Sequence, residues 1–384
     1  YKTTFLVRLF IKAGARGKVV MTPAAIDFVT PLSLSTLSKN EVLTSFTKEE
    51  DETRWNNHVE LGLWADLMII APATANTLSK MATGNADNFL LATYLSAKCP
   101  VYFAPAMDLD MYKHPSTKAS IEKLESYGNK MIPAGVGELA SGLIGEGRMA
   151  EPDESVAFIE KDIFSQLPLR GKKILITAGP TYEAIDPVRF IGNHSTGKMG
   201  YALAERGAEM GAQVILVSGP SNLKAQHSSI ETIRVTSTEE MYEAAISYFD
   251  GVDIAIAAAA VADWKPVNKA EQKLKKEGED TMSIVLERTK DILSEMGKRK
   301  KNQILVGFAL ETENEEENAQ GKLERKNLDF IVLNSLNDKG AGFGSDTNKV
   351  KIINKSDILE FELKSKKEVA TDILKQVIER FNKA

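Results

Sequence analysis

The chain has 384 residues, of which 43% are hydrophobic and 26% are charged, and its net charge at pH 7 is −5. This length predicts two or three domains, and a composition without low-complexity tracts is typical of a soluble globular enzyme. Scattered Lys and Arg argue against nucleic-acid binding, the lack of an apolar run of roughly 18 residues argues against a membrane helix, and the single cysteine, Cys99, is typical of a cytoplasmic protein.

The first segment, YKTTFLVRLFIKAG, predicts a helix with an apolar face, and the strand KVVMT (18–22) follows it at once. A strand normally precedes such a helix in an α/β unit, so we expect the first strand of this domain to be missing from the numbered chain. The next candidate strands are LMIIAP (67–72), VYFAPAM (101–107) and KMIPAG (130–135).

Small polar side chains follow the strand LMIIAP. Thr74, Asn76 and Thr77 lie in the loop that leaves it, where hydroxyl and amide groups suit contacts to a phosphate. His58, in NNHVELG, precedes an apolar helix face and is well placed for a pocket, although a lone histidine often only caps a helix or completes a core. Cys99, at the start of the next strand, is expected to be buried.

A boundary between two domains is predicted at residues 166–172. The preceding segment reads as one helix that ends before Pro168 and a basic turn, so the domains are 1–166 and 172–384. The candidate strands of the second domain are KILITAGP (173–180), QVILVSGP (213–220), DIAIAAAAVAD (253–263), ILVGFALE (304–311) and DFIVLN (329–334).

The strands of both halves are continuous apolar runs that alternate with helical stretches. Such runs are typical of parallel strands buried on both faces of a sheet. The predicted fold class is therefore α/β, with two doubly wound, mostly parallel-sheet domains.

The segment GNHSTGKMG (192–200) is one residue short of the P-loop pattern, because Met199 stands where a Ser or Thr would hold Mg²⁺. A P-loop also follows its strand directly, whereas this segment begins a dozen residues beyond KILITAGP. The sequence therefore argues against a P-loop.

The connection after KILITAGP is unusually long and polar. It carries Asp186, Arg189, Asn193, His194 and Ser195, and loops at the carboxyl ends of strands form the ligand sites of doubly wound folds. Gly-rich loops often bind nothing. This loop, however, is much longer than the usual two to six residues, which favours a binding site.

The motifs of the two halves resemble those of a known enzyme family. ITAGPTYEAIDPVRFIGNHSTGKMGYALA, AAAAVADW, KLKK, GFALET and KLERKNLDFIVLN resemble phosphopantothenate–cysteine ligase, in the same order. HVELGLWADLMIIAPATANTLSKMATGNADN, PAMDLDMYKHP and GLIGEGRMAEP resemble phosphopantothenoylcysteine decarboxylase. The chain is thus similar, over nearly its whole length, to the bifunctional bacterial proteins of coenzyme A biosynthesis. This resemblance implies a flavodoxin-like first domain and a Rossmann-like second domain.

For the second domain, the resemblance implies a CTP-dependent ligase. The carboxylate of 4′-phosphopantothenate attacks the α-phosphate to give an acyl-cytidylate, pyrophosphate leaves, and the amine of cysteine attacks the acyl carbon. Asn193, Arg189 and Lys273 match catalytic positions. The implied CTP contacts are Ala257, Ala258, Ala259, Asp263, Lys273, Thr289, Lys290, Asp291, Ile292, Phe308, Lys322 and Lys326. Mg²⁺ would accompany the triphosphate, and the sequence indicates no ligand set for it.

Some of these positions also have a simple structural interpretation. Lys273 and its neighbouring lysines are typical of a solvated surface, and Phe308 is typical of a core. Lys322 and Lys326 lie one helical turn apart and need only pair with Glu324 or solvent. Asn193 and Asp263 are the best-supported positions, because no packing or solubility argument requires them.

For the first domain, the resemblance implies FMN, which transiently oxidises the cysteinyl thiol so that carbon dioxide is lost readily, and then returns the electrons. Thr74, Asn76, Thr77 and Met107 match FMN contacts, and His58 matches the active-site base. Two positions depart from the family pattern. Asp108 replaces the usual Asn of P-A-M-N, and an ionised carboxylate there would repel the substrate carboxylate.

The second departure is Ser141, which stands where the family usually carries a cysteine that serves as the proton donor. A hydroxyl is a far poorer proton donor than a thiol near neutrality. A different donor, an engineered residue or an impaired decarboxylase would each explain this change, and we favour a natural variant. A first domain that only binds flavin, beside an active ligase, is the main alternative function. A dinucleotide-dependent oxidoreductase is disfavoured because neither half carries G-x-G-x-x-G after its first strand.

The expected partners are the small-molecule substrates 4′-phosphopantothenate, cysteine and CTP. By resemblance, trimeric decarboxylase domains and dimeric ligase domains would assemble into a homo-dodecamer.

Overall fold

The computed structural model describes residues 1–48, 51–275, 282–311, 313–335 and 344–382. The chain divides into two compact units, Tyr1–Ser165 and Gln166–Ala384. No helix among the described residues combines the length and the apolar character needed to cross a membrane.

The first unit contains nine short strands and eight α-helices within its described residues, together with a 3₁₀ helix, Pro23–Asp27. The strands are β1 Val19–Val20, β2 Val42–Leu43, β3 Thr47–Lys48, β4 Asp51–Trp55, β5 Met68–Ala73, β6 Val101–Pro105, β7 Lys130–Met131, β8 Gly135–Glu138 and β9 Ile144–Arg148. The helices are α1 Lys2–Lys12, α2 Pro31–Ser38, α3 His58–Trp64, α4 Ala75–Thr83, α5 Phe89–Ser96, α6 Leu109–Lys113, α7 Pro115–Ser126 and α8 Pro152–Ser165.

The centre of this unit is the parallel sheet β5–β6–β7, in which β6 is buried along its whole length. Alternate side chains of β6 enter the two cores that flank the sheet, since successive residues of a strand face opposite sides. Phe103 packs with Leu78 and Leu124 on one face, and Tyr102 packs with Leu6 on the other. The parallel pair β1–β2 and the antiparallel pairs β3–β4 and β8–β9 complete the unit.

The second unit contains fourteen strands and five α-helices within its described residues. The strands are β10 Lys173–Ala178, β11 Tyr182–Ala184, β12 Phe190–Gly192, β13 Gln213–Ser218, β14 Ile230–Arg234, β15 Ile254–Ala257, β16 Trp264–Pro266, β17 Leu286–Arg288, β18 Ile304–Glu311, β19 Phe330–Ser335, β20 Thr347–Asn348, β21 Val350–Ile353, β22 Ile358–Glu360 and β23 Lys364–Ser365. The helices are α9 Lys198–Glu209, α10 Thr238–Phe249, α11 Ile292–Arg299, α12 Glu315–Arg325 and α13 Lys366–Phe381.

An eight-stranded sheet in the order β14–β13–β10–β15–β18–β19–β21–β22 forms the centre of the second unit. The first six strands are parallel, and β21 and β22 join antiparallel. Helices α9 and α13 cover one face, and α10, α11 and α12 cover the other. The strand order reverses between β10 and β15, which is where doubly wound sheets bind their ligands, outside the carboxyl ends of the strands.

The predicted fold class is confirmed, while several predicted strands are shorter in the structure. The strand predicted over 253–263 ends at Ala257. Ala258 N makes the last bond of the ladder, to Thr177 O at 3.1 Å, whereas Ala259 N turns to a side chain, Thr177 Oγ1, at 3.4 Å. The strand predicted over 130–135 is reduced to Lys130–Met131. Cys99 is half-buried rather than buried, since it lies before β6 and not within it.

Candidate functional sites

The loops after β10, β13 and β15 approach one another backbone to backbone at the reversal of strand order. Gly179 adopts a left-handed conformation with φ of +77°, and its oxygen accepts from Ala260 N at 2.9 Å. A Cβ at Gly219 would lie 1.7 Å from Pro180 O, so only glycine allows this approach. Doubly wound folds form their ligand crevice at this reversal, and here the loops that border it meet through their main chains.

The long connection after β10 is an antiparallel hairpin, β11–β12, which the sequence did not reveal. Gly192 closes β12, and Lys198 begins α9 with its ammonium 2.9 Å from Gly344 O and 2.7 Å from Asp346 Oδ1. The P-loop interpretation therefore fails in the structure as well, because a strand pair separates β10 from α9.

Asn193, the residue after this hairpin, is bonded to the loop that leaves β15. Its Nδ2 donates to Ala260 O at 2.9 Å and to Val261 O at 3.1 Å. Both amide hydrogens are therefore engaged by the main chain. Asn193 thus has a structural role that the sequence had not suggested: it fixes one loop of the crevice to another.

Two buried threonines, Thr181 and Thr238, and the half-buried Thr289 form a network beside these loops. Thr181 Oγ1 accepts from Ala262 N at 2.8 Å and is 2.9 Å from Thr238 Oγ1. Thr289 Oγ1 donates to Ala262 O at 2.7 Å, and Thr289 N donates to Asp263 O at 3.0 Å. Of these threonines, only Thr289 was predicted. The others carry no sequence signal, because their partners lie 57 and 81 residues away.

A half-buried cation, Lys322, lies beside the same loops. Lys322 Nζ donates to Phe308 O at 2.8 Å. Burial lowers the pKa of Lys322 below its usual range, although the nearby carboxylates, Asp263 among them, act in the opposite direction. The neighbouring Lys326 forms an ion pair with Asp291, not with Glu324. The structure therefore brings four predicted residues into one electrostatic cluster: Asp263, Asp291, Lys322 and Lys326.

Other predicted CTP contacts have partners of their own. Ile292 is a core residue of α11 and is 5% exposed, and Phe308 is half-buried against the core. Lys290 forms an ion pair with Glu239 and lies 4.7 Å from the ring centroid of Tyr242. Ala257 ends β15. The side chains of Ile292 and Lys290 are thus already engaged, one in the core and one in an ion pair.

Arg189 and Asp186 meet the segment that carries Lys273. Arg189 Nη2 donates to Leu274 O at 3.0 Å, and Leu274 N donates to Asp186 Oδ2 at 3.2 Å. Lys273 itself is exposed, as the surface interpretation predicted. The sequence had placed Asp186 in a polar loop without a defined role.

The predicted flavin contacts of the first unit lie at the carboxyl ends of two adjacent parallel strands. Thr74 follows β5 and caps α4, accepting from Thr77 N at 3.3 Å, while Asp108 follows β6 and caps α6, accepting from Leu109 N at 2.6 Å. Ala106 N donates to Ala73 O at 3.0 Å, which holds the two strand ends together. A carboxylate serves as this cap as well as an amide oxygen does.

The β8–β9 pair carries Ser141 toward the same end of the sheet. Met107 N donates to Gly147 O at 2.9 Å, and a Cβ at Gly147 would lie 2.3 Å from Met107 O. Ser141 is exposed in the turn between these strands, where its Oγ accepts from Leu143 N at 3.4 Å. The base of the pair is thus fixed beside Met107, and its turn projects into solvent.

His58 is the first residue of α3 and lies among aromatic rings. The ring centroids of Trp55, Phe46 and Phe89 are 5.6, 6.0 and 6.5 Å from the imidazole, each nearly perpendicular to it. Its Nδ1 is buried without a hydrogen-bond partner. Among the contacts of the described residues, none joins His58 to Thr74 or Asp108.

Comparison with known proteins accounts for both units. Residues 1–164 match the Flavoprotein family model, and residues 169–381 match the DNA/pantothenate metabolism flavoprotein C-terminal domain. The coenzyme A biosynthesis bifunctional protein CoaBC of Bacillus subtilis is 47% identical over 98% of this chain and 93% of its own length. The chain belongs to the bifunctional CoaBC family.

Two further relatives complete the comparison with the CoaBC family. A protein of an unknown prokaryotic organism, named cysteine/cysteine sulfinic acid decarboxylase, is 56% identical over 91% of this chain and 99% of its own length. The crystal structure of the C-terminal domain of a CoaBC protein is 45% identical, covers 57% of this chain and 100% of that domain, and gives a TM-score of 0.49.

Membership of the CoaBC family makes this chain an enzyme of coenzyme A biosynthesis with a ligase and a decarboxylase activity. The resemblance found in the motifs is thereby confirmed. Within the described residues, no group of three His, Cys, Asp or Glu side chains is arranged to hold a metal ion. An open cleft of about 360 Å³ beside α9, lined by Lys198, Lys224 and Lys366 among others, includes none of the predicted CTP or FMN contacts.

Proposed function

We propose that the unit Gln166–Ala384 joins cysteine to 4′-phosphopantothenate with CTP, and that the unit Tyr1–Ser165 decarboxylates the product to 4′-phosphopantetheine with FMN. The observation that carries the ligase assignment is the cluster of Asp263, Asp291, Lys322 and Lys326 beside the main-chain crevice. A triphosphate and an activated carboxylate require cations and backbone N–H groups held in place before the reaction begins.

In the ligation, the substrate carboxylate attacks the α-phosphorus of CTP and pyrophosphate leaves. The cysteine amine then attacks the acyl carbon, and CMP leaves. Lys322 and Lys326 would oppose the negative charge that develops on the phosphoryl oxygens, and Asp263 and the segment Thr289–Ile292 would bind the cytidine. Mg²⁺ would arrive with the triphosphate, held by its oxygens more than by a protein cage. Asn193 would hold the loops around the acyl-cytidylate.

The first unit offers a suitable position for FMN. The N-terminus of α4 lies at the end of β5, beside the end of β6, and such a terminus favours anions. Thr74, Asn76, Thr77 and Met107 would hold the group, which supplies a two-electron acceptor for the substrate thiol when bound. His58 would move a proton through Nε2, and Ser141, on its projecting turn, would stand over the substrate.

A second candidate activity of the first unit is decarboxylation of free cysteine, with cysteamine as the product. The 56% identical relative whose name is cysteine/cysteine sulfinic acid decarboxylase favours it. An inactive or purely flavin-binding first unit is the third possibility, favoured by Asp108 and Ser141 at the usual Asn and Cys positions.

Product masses distinguish these functions. The full-length protein is incubated with 4′-phosphopantothenate, cysteine, CTP and Mg²⁺, with ATP in place of CTP as one control and cysteine alone as another. We expect 4′-phosphopantetheine with CTP only. If the reaction stops at phosphopantothenoylcysteine, only the ligase activity is present. Formation of cysteamine from cysteine alone would establish the second candidate activity.

The variant Ser141→Cys sharpens the assay of the first unit. If the serine limits proton donation, this variant forms 4′-phosphopantetheine faster than the wild type, whereas Ser141→Ala, its matched control, does not. An equal rate in all three proteins would show that another group donates the proton. A cytoplasmic dodecamer remains the proposed assembly, and light scattering of the same preparation gives its mass.

A further inference from the structure

The segment 270–275 is hydrogen-bonded to the β11–β12 hairpin at two points. Ala270 N donates to Ile185 O at 3.0 Å. Four residues later, Leu274 is bonded through both of its backbone groups, with its N–H on Asp186 and its carbonyl on Arg189. Two side chains thus complete a pairing that a neighbouring strand would otherwise supply.

Asp186 is the centre of this arrangement. It is 1% exposed, and its Oδ1 accepts from Val188 N and Arg189 N, both at 2.7 Å. Its Oδ2 accepts from Leu274 N and lies 3.7 Å from Arg189 Nε. Burial alone would raise the pKa of Asp186, but the three backbone N–H donors and the guanidinium lower it below its usual value. The carboxylate is therefore ionised and satisfied in its buried position.

We propose that Asp186 is a positioning residue that, with Arg189, docks the segment 270–275 onto the hairpin and so sets the position of Lys273. Lys273 and Lys275 are exposed on either side of the half-buried Leu274. Fixing the backbone at Leu274 therefore limits the volume that both ammonium groups can reach. The consequence for catalysis rests on the proposed ligase function, whereas the docking itself does not.

The same contacts revise the expected role of Arg189. Its guanidinium donates to Leu274 O and faces the Asp186 carboxylate. Arg189 therefore holds the segment 270–275 in place, in addition to any contact with a ligand. We therefore expect loss of Arg189 and loss of Asp186 to produce the same change in the segment 270–275.

The variant Asp186→Asn tests the docking. The amide oxygen can still accept from Val188 N and Arg189 N, but its NH₂ group then faces Leu274 N, donor against donor. We expect the amides of 270–275 to exchange hydrogen about tenfold faster, which corresponds to one lost hydrogen bond to a charged group. Tryptic cleavage after Lys273 and Lys275 should accelerate in parallel. The ligase kcat should fall while the KM for cysteine is unchanged.

The matched control is Asp253→Asn. Asp253 likewise accepts a backbone N–H, from Lys173 at 2.9 Å, and lies 3.5 Å from Lys172 Nζ, but at the amino ends of β10 and β15. The Asp253→Asn variant should leave hydrogen exchange in the segment 270–275 unchanged. If hydrogen exchange in 270–275 were as slow in Asp186→Asn as in the wild type, the proposed docking would be overturned. If exchange were faster but kcat unchanged, the role of Asp186 in positioning Lys273 would be overturned. Absence of ligation in the wild type would overturn the proposed function instead, and the exchange rates would still decide the docking.

Discussion

The candidate sites of the two units are held in place by different means. In the second unit the contacts join residues far apart in the sequence: Asn193 bonds Ala260, Thr181 bonds Ala262 and Asp186 bonds Leu274, at separations of 67, 81 and 88 residues. In the first unit, the side chains of Thr74 and Asp108 bond amides three and one residues ahead, in the helices that they cap, and the long-range bonds of this candidate site, Ala106 N to Ala73 O and Met107 N to Gly147 O, join backbone groups only. A change in the ligase loops therefore spreads between loops, whereas a change at a cap of the first unit stays local.

The strongest expected effect is at Lys322, the half-buried cation of the second unit. Lys322→Met keeps the aliphatic volume and removes the ammonium that bonds Phe308 O. We expect ligase kcat/KM to fall about 100-fold, the loss typical of a group aimed at developing charge. Steady-state assay of phosphopantothenoylcysteine formation measures it. The control Lys300→Met removes another shielded lysine, paired with Asp329 at 2.7 Å, and should leave ligation nearly unchanged. Equal losses in both variants would contradict a special role for Lys322.

The next effect compares long-range and local hydroxyl groups directly. Thr181→Val should lower the free energy of unfolding of the second unit by about 2 kcal/mol, because Ala262 N and Thr238 Oγ1 both lose a partner in a fully buried position. Urea unfolding monitored by circular dichroism gives the value. A loss below about 0.5 kcal/mol would mean that water or a local shift satisfies these groups.

Thr74→Val is the local counterpart. It removes the cap of α4 and should lower the stability of the first unit by about 1 kcal/mol, a typical cost for an exposed N-cap. Its effect should be confined to α4 in hydrogen-exchange measurements, while that of Thr181→Val should reach the loops after both β10 and β15. The reverse pattern would overturn the contrast between the two units.

The smallest effect is a pH dependence carried by Asp186. Because its folded-state pKa is lower than the ordinary 3.8, its ionisation contributes stability that is fully present above that value. The contribution is lost as the pH falls from 3.8 through the lower folded-state pKa. The difference in unfolding free energy between the wild type and Asp186→Asn should therefore be constant from pH 7 to about 5 and shrink below 4. A difference independent of pH down to 3 would contradict it.

Patterns within single elements predicted much of this architecture. The apolar run 304–311 coincides with β18, and the run 173–180 contains β10. The short hairpins and the antiparallel strands β21 and β22 were not predicted. β21 is buried at Val350, Ile352 and Ile353 but is interrupted by Lys351, and β22 is partly exposed. Neither strand carries a continuous apolar run, so only pairing with another strand defines them.

The candidate site shows the same contrast between local patterns, which the sequence reveals, and long-range contacts, which it does not. Motifs predicted Asn193, Asp263 and Lys322 as functional residues, but they did not predict which groups these side chains contact. The sequence suggested Glu324, a near neighbour on the helix, for Lys326, whereas the fold places Asp291 beside it. Likewise nothing in the sequence relates Asp186 to Leu274. Partners separated by more than thirty residues are determined by chain topology, which local patterns do not encode.

The close approach at Gly219 has a consequence for how this sequence can vary over time. Every L-amino acid other than glycine would place an atom inside the contact distance of Pro180 O, and neither partner in that contact is a side chain that can rotate away. We therefore expect no substitution to be tolerated at this position, even though Gly219 bears no reactive group. A saturation library selected for growth on the ligase activity should retain only glycine codons there, and the main-chain crevice would thus be inherited through a residue that takes no part in the chemistry.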